Sequence, residues 1–134
     1  MKEQLIEFKT AKLAKEKGFD WPVRYYYQHN IEGKLITSDL EEELSNCNDT
    51  PNYPEWSRST QSLLQKWLRK LHIDITVITN WLKDGKKIYY VGFSYLNKNN
   101  KIDIWFSKKS GNKIEYPTYE QALETALYEG LKII

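Results

Sequence analysis

Cysteine is almost absent from this chain. Cys47 is the only one among 134 residues, so no intramolecular disulfide can form and no cysteine zinc cluster can be assembled. That usage fits a reducing cytoplasm. Histidine is nearly as scarce. His29 and His72 are the two in the chain, neither has a metal-ligand partner at a recognisable spacing, and no His-Glu-x-x-His pattern occurs. His72, at the end of a helical stretch, is favourably placed there as an imidazolium. No apolar run approaches the ~18 residues that span a bilayer. Met1 to Lys17 is charged every few residues and lacks the apolar core of a signal peptide. There is no glycine-rich phosphate loop and no nucleophile elbow. These absences point to a cytoplasmic, non-enzymatic protein with no metal, no cofactor and no membrane segment.

Charge of one sign is also in short supply. The net charge is +2, which argues against a general nucleic-acid binder. The distribution is less even than the total. Residues 1–67 carry 9 basic and 11 acidic side chains, whereas residues 68–134 carry 11 basic and 7 acidic.

Aromatic residues are plentiful, with 5 Trp, 10 Tyr and 4 Phe. Large rings fill cores and interfaces alike. The length suits a single domain over residues 1–134, large enough to bury a core without a disulfide or metal.

Thr10 suits an N-cap for a helix over Ala11 to Lys17, which Gly18 would end. Val23 to Gln28 and Lys34 to Thr37 read as a hairpin around the Asn30 to Gly33 turn. Asp39, Glu41, Glu42 and Glu43 suit the start of a short acidic helix after Ser38. Ser45 to Ser57, with two prolines, reads as an irregular loop. The main helix is expected from Ser59 or Thr60, with Leu63, Leu64, Trp67, Leu68 and Leu71 on one stripe. Three strands follow: Ile73 to Leu82, Ile88 to Leu96 and Ile102 to Ser107. Ile75, Val77, Ile104 and Phe106 are expected to face the core. Thr118 with Gln121 has the form of a capping box for the final helix. The fold class is therefore α+β: an antiparallel sheet, made of a three-stranded meander plus an amino-terminal hairpin, with helices on one face.

One constellation follows from that topology. Lys83, Lys86, Lys87, Lys108, Lys109 and Lys113 gather at one end of the meander. The main helix, packed back along the first strand, would bring its N-terminus to the same end, as would the final helix. Helix N-termini carry free N–H groups that suit anions. Arg58, Ser59, Thr60 and Gln61 would add side-chain donors, while rings such as Tyr90 and Trp105 would stack on a base.

The stretch Ser59-Thr60-Gln61-Ser62-Leu63-Leu64-Gln65-Lys66-Trp67-Leu68-Arg69, with Tyr119-Glu120-Gln121-Ala122-Leu123-Glu124 and the closing Gly130-Leu131-Lys132, resembles a family of short uncharacterised phage and prophage proteins from gut bacteria. The match covers about a third of the chain, and its motifs carry no known reaction. The resemblance implies a virus-related accessory protein acting in the host cytoplasm. The resulting expectation is a binding protein that sequesters an anionic small molecule, such as a nucleotide signal used in host defence. The alternatives are an inhibitor or adaptor that meets a host protein through an aromatic surface, or a weak nucleic-acid binder. A homo-oligomer fits any of these.

Overall fold

The computed structural model describes residues 3–41, 43–109 and 111–134; the side chain of Lys109 and all of Glu42 lie outside the described set. Its first helix, α1 (Phe8–Glu16), begins at Phe8 rather than at Ala11. Thr10 is not its cap. Thr10, Ala11 and Ala14 form the buried face, while Glu7 occupies the N-cap without a side-chain capping bond. The helix does stop at Gly18, whose φ of +92° is the left-handed conformation that glycine adopts without a Cβ penalty.

β1 (Tyr25–His29) and β2 (Leu35–Asp39) form the expected hairpin, but β3 (Glu55–Arg58) joins β1 on its other side. The amino-terminal unit is therefore a three-stranded antiparallel sheet in the order β2-β1-β3. Its third strand comes from the stretch that reads as a loop. Asn48 anchors that stretch, accepting from Ser57 N at 2.8 Å and donating to Phe19 O at 2.9 Å. Among the described residues no helix follows Ser38: β2 runs on to Asp39, and Glu41 turns with a φ of 59°.

α2 (Gln61–Lys70) starts where the sequence places it, with Thr60 Oγ1 accepting from Leu63 N at 3.2 Å. It ends at Lys70 with Leu71 as its C-cap, and His72, with a φ of 65°, turns the chain directly into the next strand. β4 (Ile73–Trp81), β5 (Lys87–Leu96) and β6 (Ile102–Phe106) form an antiparallel meander in that order. The two-stranded hairpin of β7 (Lys108–Lys109) and β8 (Asn112–Lys113) follows. α3 (Tyr119–Leu131) closes the fold, capped by Thr118, which accepts from Gln121 N at 3.1 Å.

The core lies between the meander and its helices. Ile73, Ile75, Val91 and Phe93 are buried on the sheet, and Leu64, Trp67, Leu68, Leu123, Leu127 and Leu131 are buried on α2 and α3. Helices α2 and α3 both contact β4, and α3 also contacts β5. The face of β6 differs from expectation. Directly paired residues share a sheet face, and Phe93 pairs with Trp105. Trp105 stacks on Phe93 with ring centroids 4.8 Å apart, and Ile104 is left 66% exposed on the opposite face. Ile102, Ile104 and Phe106 make one alternation and Asp103 and Trp105 the other, and the larger indole takes the inner side because it finds an aromatic partner there. Phe106, also on the outer face, lies across Gly92, where an added Cβ would meet its ring at 2.7 Å.

A buried polar knot joins the three helices. Glu124 of α3 accepts from Glu7 N at 3.1 Å, from the Thr10 hydroxyl, and from Gln61 Nε2 at 3.1 Å. An interhelical carboxylate thus serves the N–H that α1's own N-cap leaves unpaired, the task that the third helical residue performs in a capping box. Among the described residues, no helix is long and apolar enough to cross a membrane.

Candidate functional site

Arg58 closes β3, and its register partner is Tyr25 at the start of β1. The two residues therefore share a sheet face, at the point where the chain turns into α2. A cleft of about 600 Å³ opens there, within the range that holds small molecules. Pro22, Val23, Leu44 and Leu63 give it an apolar lining, and the Tyr25 ring lies beside them. On the α2 side, Ser62, Lys66 and Arg69 line it at helical spacing.

Four cations line this cleft: Arg24, Arg58, Lys66 and Arg69. Two of them are engaged. Arg24 grips Asp39 with two hydrogen bonds, at 2.9 and 3.1 Å. That hydrogen bond raises the Arg24 pKa and is the largest influence holding the Asp39 carboxyl below its ordinary value. Arg69 lies 3.6 Å from Asp74 in an exposed pair, the kind that contributes little stability. Arg58 is different. Its guanidinium sits 5.0 Å from the centre of the Tyr27 ring, and among the described residues its buried Nε has no hydrogen-bond partner. Burial pushes the Tyr27 phenol upward, while the adjacent Arg58 charge pulls the other way. A buried N–H of a charged group without a partner is costly and uncommon.

The helix entrance supplies fewer free donors than its sequence suggests. Ser59 is buried; its hydroxyl donates to Thr60 O at 2.9 Å, and its carbonyl accepts from Ile6 N at 3.0 Å. Gln61 N–H is taken by Gln4 O at 2.8 Å, and Leu63 N–H by Thr60 Oγ1. The Gln61 side chain points inward, donating to Glu120 O at 2.9 Å as well as to Glu124. Arg58, Ser59 and Thr60 thus line the cleft, whereas Gln61 belongs to the helix junction. The starts of α2 and α3 do meet, as the topology requires. The recess between them is lined by Glu3 and Glu120 and, among the described residues, by no lysine.

Those lysines stand elsewhere. Gln65 Nε2 reaches Ile75 O at 3.4 Å, and from Ile75 to Trp81 the strand extends by roughly 20 Å. α2 recovers only about 1.5 Å per residue over the same direction. The β4–β5 hairpin therefore overshoots the helix entrance, carrying Lys83, Lys86 and Lys87 at its tip. Lys87 rests on the Trp81 ring at 4.5 Å. Lys108 lies in β7, and the side chain of Lys109 falls outside the described residues. Among the described residues, Lys83, Lys86, Lys87 and Lys108 do not line the cleft. Tyr90 and Trp105 do not meet either, because β5 places Tyr90 on the face opposite to Phe93 and its partner Trp105. The Tyr90 hydroxyl instead lies 3.4 Å from Glu115.

The cleft adds residues that sequence reasoning does not nominate: Arg24, Tyr25, Leu44, Lys66 and Arg69. Lys66 and Arg69 were within reach, since they follow Ser62 on the polar side of a legible helix. Arg24 and Tyr25 depend on the pairing of β1 with β3, which is a tertiary event. Among the described residues, no group of three or more His, Cys, Asp or Glu is placed to hold a metal ion. Cys47 is buried, and its thiol is pushed up to about 11, chiefly by desolvation. No protein-family model, no curated protein and no solved structure matches the chain.

Proposed function

We propose that the protein is a non-enzymatic binder that captures an amphipathic anion in the cleft between α2 and the start of β1, with nucleotides as the best-suited class. The observation that carries this reading is a concave, largely apolar cleft lined by Arg58, whose guanidinium has no ion-pair partner among the described residues. A phosphate or carboxylate in the cleft would pair with that guanidinium, which can offer two donors. Lys66 stands along the same wall without an ion-pair partner among the described residues. The Tyr25 ring and the apolar floor suit a base or another flat moiety.

The hydroxyls of Ser59 and Thr60 bond to backbone and to Ser62, and the Ser62 hydroxyl donates to the Glu3 carboxylate, which also lines the cleft. That pair is exposed, and among the described residues no third group orients the carboxylate as an activated nucleophile requires. A binding role is therefore preferred over acid–base or nucleophilic chemistry. Together with the resemblance to phage accessory proteins, capture in this cleft reads as stoichiometric sequestration of a nucleotide signal of host defence.

Titration calorimetry against a panel of cyclic and linear nucleotides tests the reading. Arg58→Gln combined with Lys66→Ala should weaken the best ligand at least tenfold, about 1.4 kcal/mol. Lys83→Ala with Lys87→Ala, at the hairpin tip, should leave the affinity unchanged. Failure of every nucleotide to bind below millimolar concentration, or equal weakening by the tip pair, would overturn it.

A further inference from the structure

We infer that the open edge of β6 accepts an extended, acidic peptide as an added strand. This site is independent of the α2 cleft. Among the described residues, β6 is the outermost strand of its sheet and pairs with β5 alone. Within β6 and its flanks the backbone alternates in direction. Lys101 O accepts from Asn97 N, and Ser107 N donates to Val91 O, so odd-numbered residues point toward β5. Ile102 and Ile104 therefore turn their N–H and C=O groups to the open side. An unpaired apolar edge of this kind is a template for another strand.

Side chains on the strand agree with that use. Ile102 is 72% exposed and Ile104 66%, and both stand on the outer face of the sheet next to Phe106. An added strand with apolar residues at alternate positions would cover them. The flanks decide what that strand is. Lys98 and Lys101 lie exposed before β6, and Lys108 and Lys113 lie exposed after it. Asp103 is the acidic side chain within the strand, and it accepts from Asn97 at 3.0 Å. Two copies joined through this edge would bring lysines to lysines in either direction, a device that suppresses self-pairing. A partner strand with carboxylates at both ends meets the opposite sign at each end.

The probe is a pair of synthetic peptides, acetyl-EEVTVTVEE-amide and acetyl-KKVTVTVKK-amide, titrated into the isotopically labelled full chain. The acidic peptide should bind at least tenfold more tightly and slow hydrogen exchange at the Ile102 and Ile104 amides. Ile104→Pro removes a donor that faces the open side, which an edge strand tolerates, and should abolish binding. If that variant does not fold, Lys101→Glu with Lys108→Glu serves instead and should reverse the preference toward the lysine peptide. Equal binding of both peptides, no binding of either at millimolar concentration, or concentration-dependent dimerisation of the chain through β6 would overturn the inference.

Discussion

Replacing Glu124 by Gln probes the knot that holds the three helices together, and its cost follows from counting donors. The Glu7 N–H and the Gln61 amide can only donate to Glu124, and the Thr10 hydroxyl donates as well. Oε2 takes Glu7 and Thr10, and Oε1 takes Gln61. A glutamine keeps one oxygen and turns the other into NH2. In one orientation that NH2 faces the Gln61 amide, which cannot flip without giving up Glu120 O. In the other it faces the Glu7 N–H. Either way a hydrogen bond is lost and donors are opposed in a site that is 6% exposed. A buried unsatisfied donor costs about 1–3 kcal/mol, so about 2–3 kcal/mol is expected. For a chain of this length that corresponds to a fall in Tm of roughly 7–10 °C. Urea unfolding followed by tryptophan fluorescence and circular dichroism provides the assay, with an unchanged m-value required for a two-state comparison. Thr10→Val, which removes one donor and leaves the carboxylate with two, should cost only about 1 kcal/mol. A Glu124→Gln protein within 0.5 kcal/mol of the parent would show that the knot does not hold the helices in register.

Three further outcomes are expected. Gly130→Ala should stabilise the protein by about 0.5–1 kcal/mol, because an added Cβ meets Ile73 and Leu68 at ordinary distances of 3.5 and 3.6 Å and alanine favours the helix; a fall in Tm would mean tighter packing there. Gly92→Ala should instead cost about 1–3 kcal/mol, since its Cβ would lie 2.6 Å from Trp105 O and against the Phe106 ring, and a neutral result in denaturant titration would disprove that contact. Cys47 should react with a thiol reagent at pH 8 at least a hundredfold more slowly in the folded protein than in denaturant, given burial and a thiol near 11. Because the folded form holds its proton longer than the unfolded one, this thiol's contribution is complete below about pH 9 and is lost as pH rises toward 11.

What could be read from the sequence was local. Thr60 and Thr118 announce their helices because a side-chain oxygen and an N–H a few residues away are enough to make a cap. Gly18 ends α1 for an equally local reason. The strand β3 was hidden because Pro51 and Pro54 precede it and nothing in Glu-Trp-Ser-Arg alternates clearly; only pairing with Tyr25 to Gln28 makes it a strand. The inward side of β6 was hidden because its more apolar alternation, Ile102, Ile104 and Phe106, faces outward; the stacking of Trp105 on Phe93 decides against it. The lysine-rich end of the meander was legible, but its separation from Arg58 was not. That depended on the relative lengths of α2 and β4, and a strand rises about twice as far per residue as a helix. The cleft was half legible: Arg58, Ser59 and Thr60 were in view, and their partners across the sheet were not.

The bond between Glu7 and Glu124 spans 117 positions, and this gives the chain a direction in time. During synthesis at about 5–20 residues per second, roughly 6–23 s separate the two ends of that bond. Through this interval α1 exists as a nine-residue segment, too short to hold its shape alone in water, with its anchoring carboxylate not yet made. The meander and α2 have neighbouring partners and can assemble first. α1 can pack against β3 before then, but the Glu7 N–H waits for the Glu124 carboxylate until α3 arrives, and that end of α1 stays open to proteases and chaperones in the meantime.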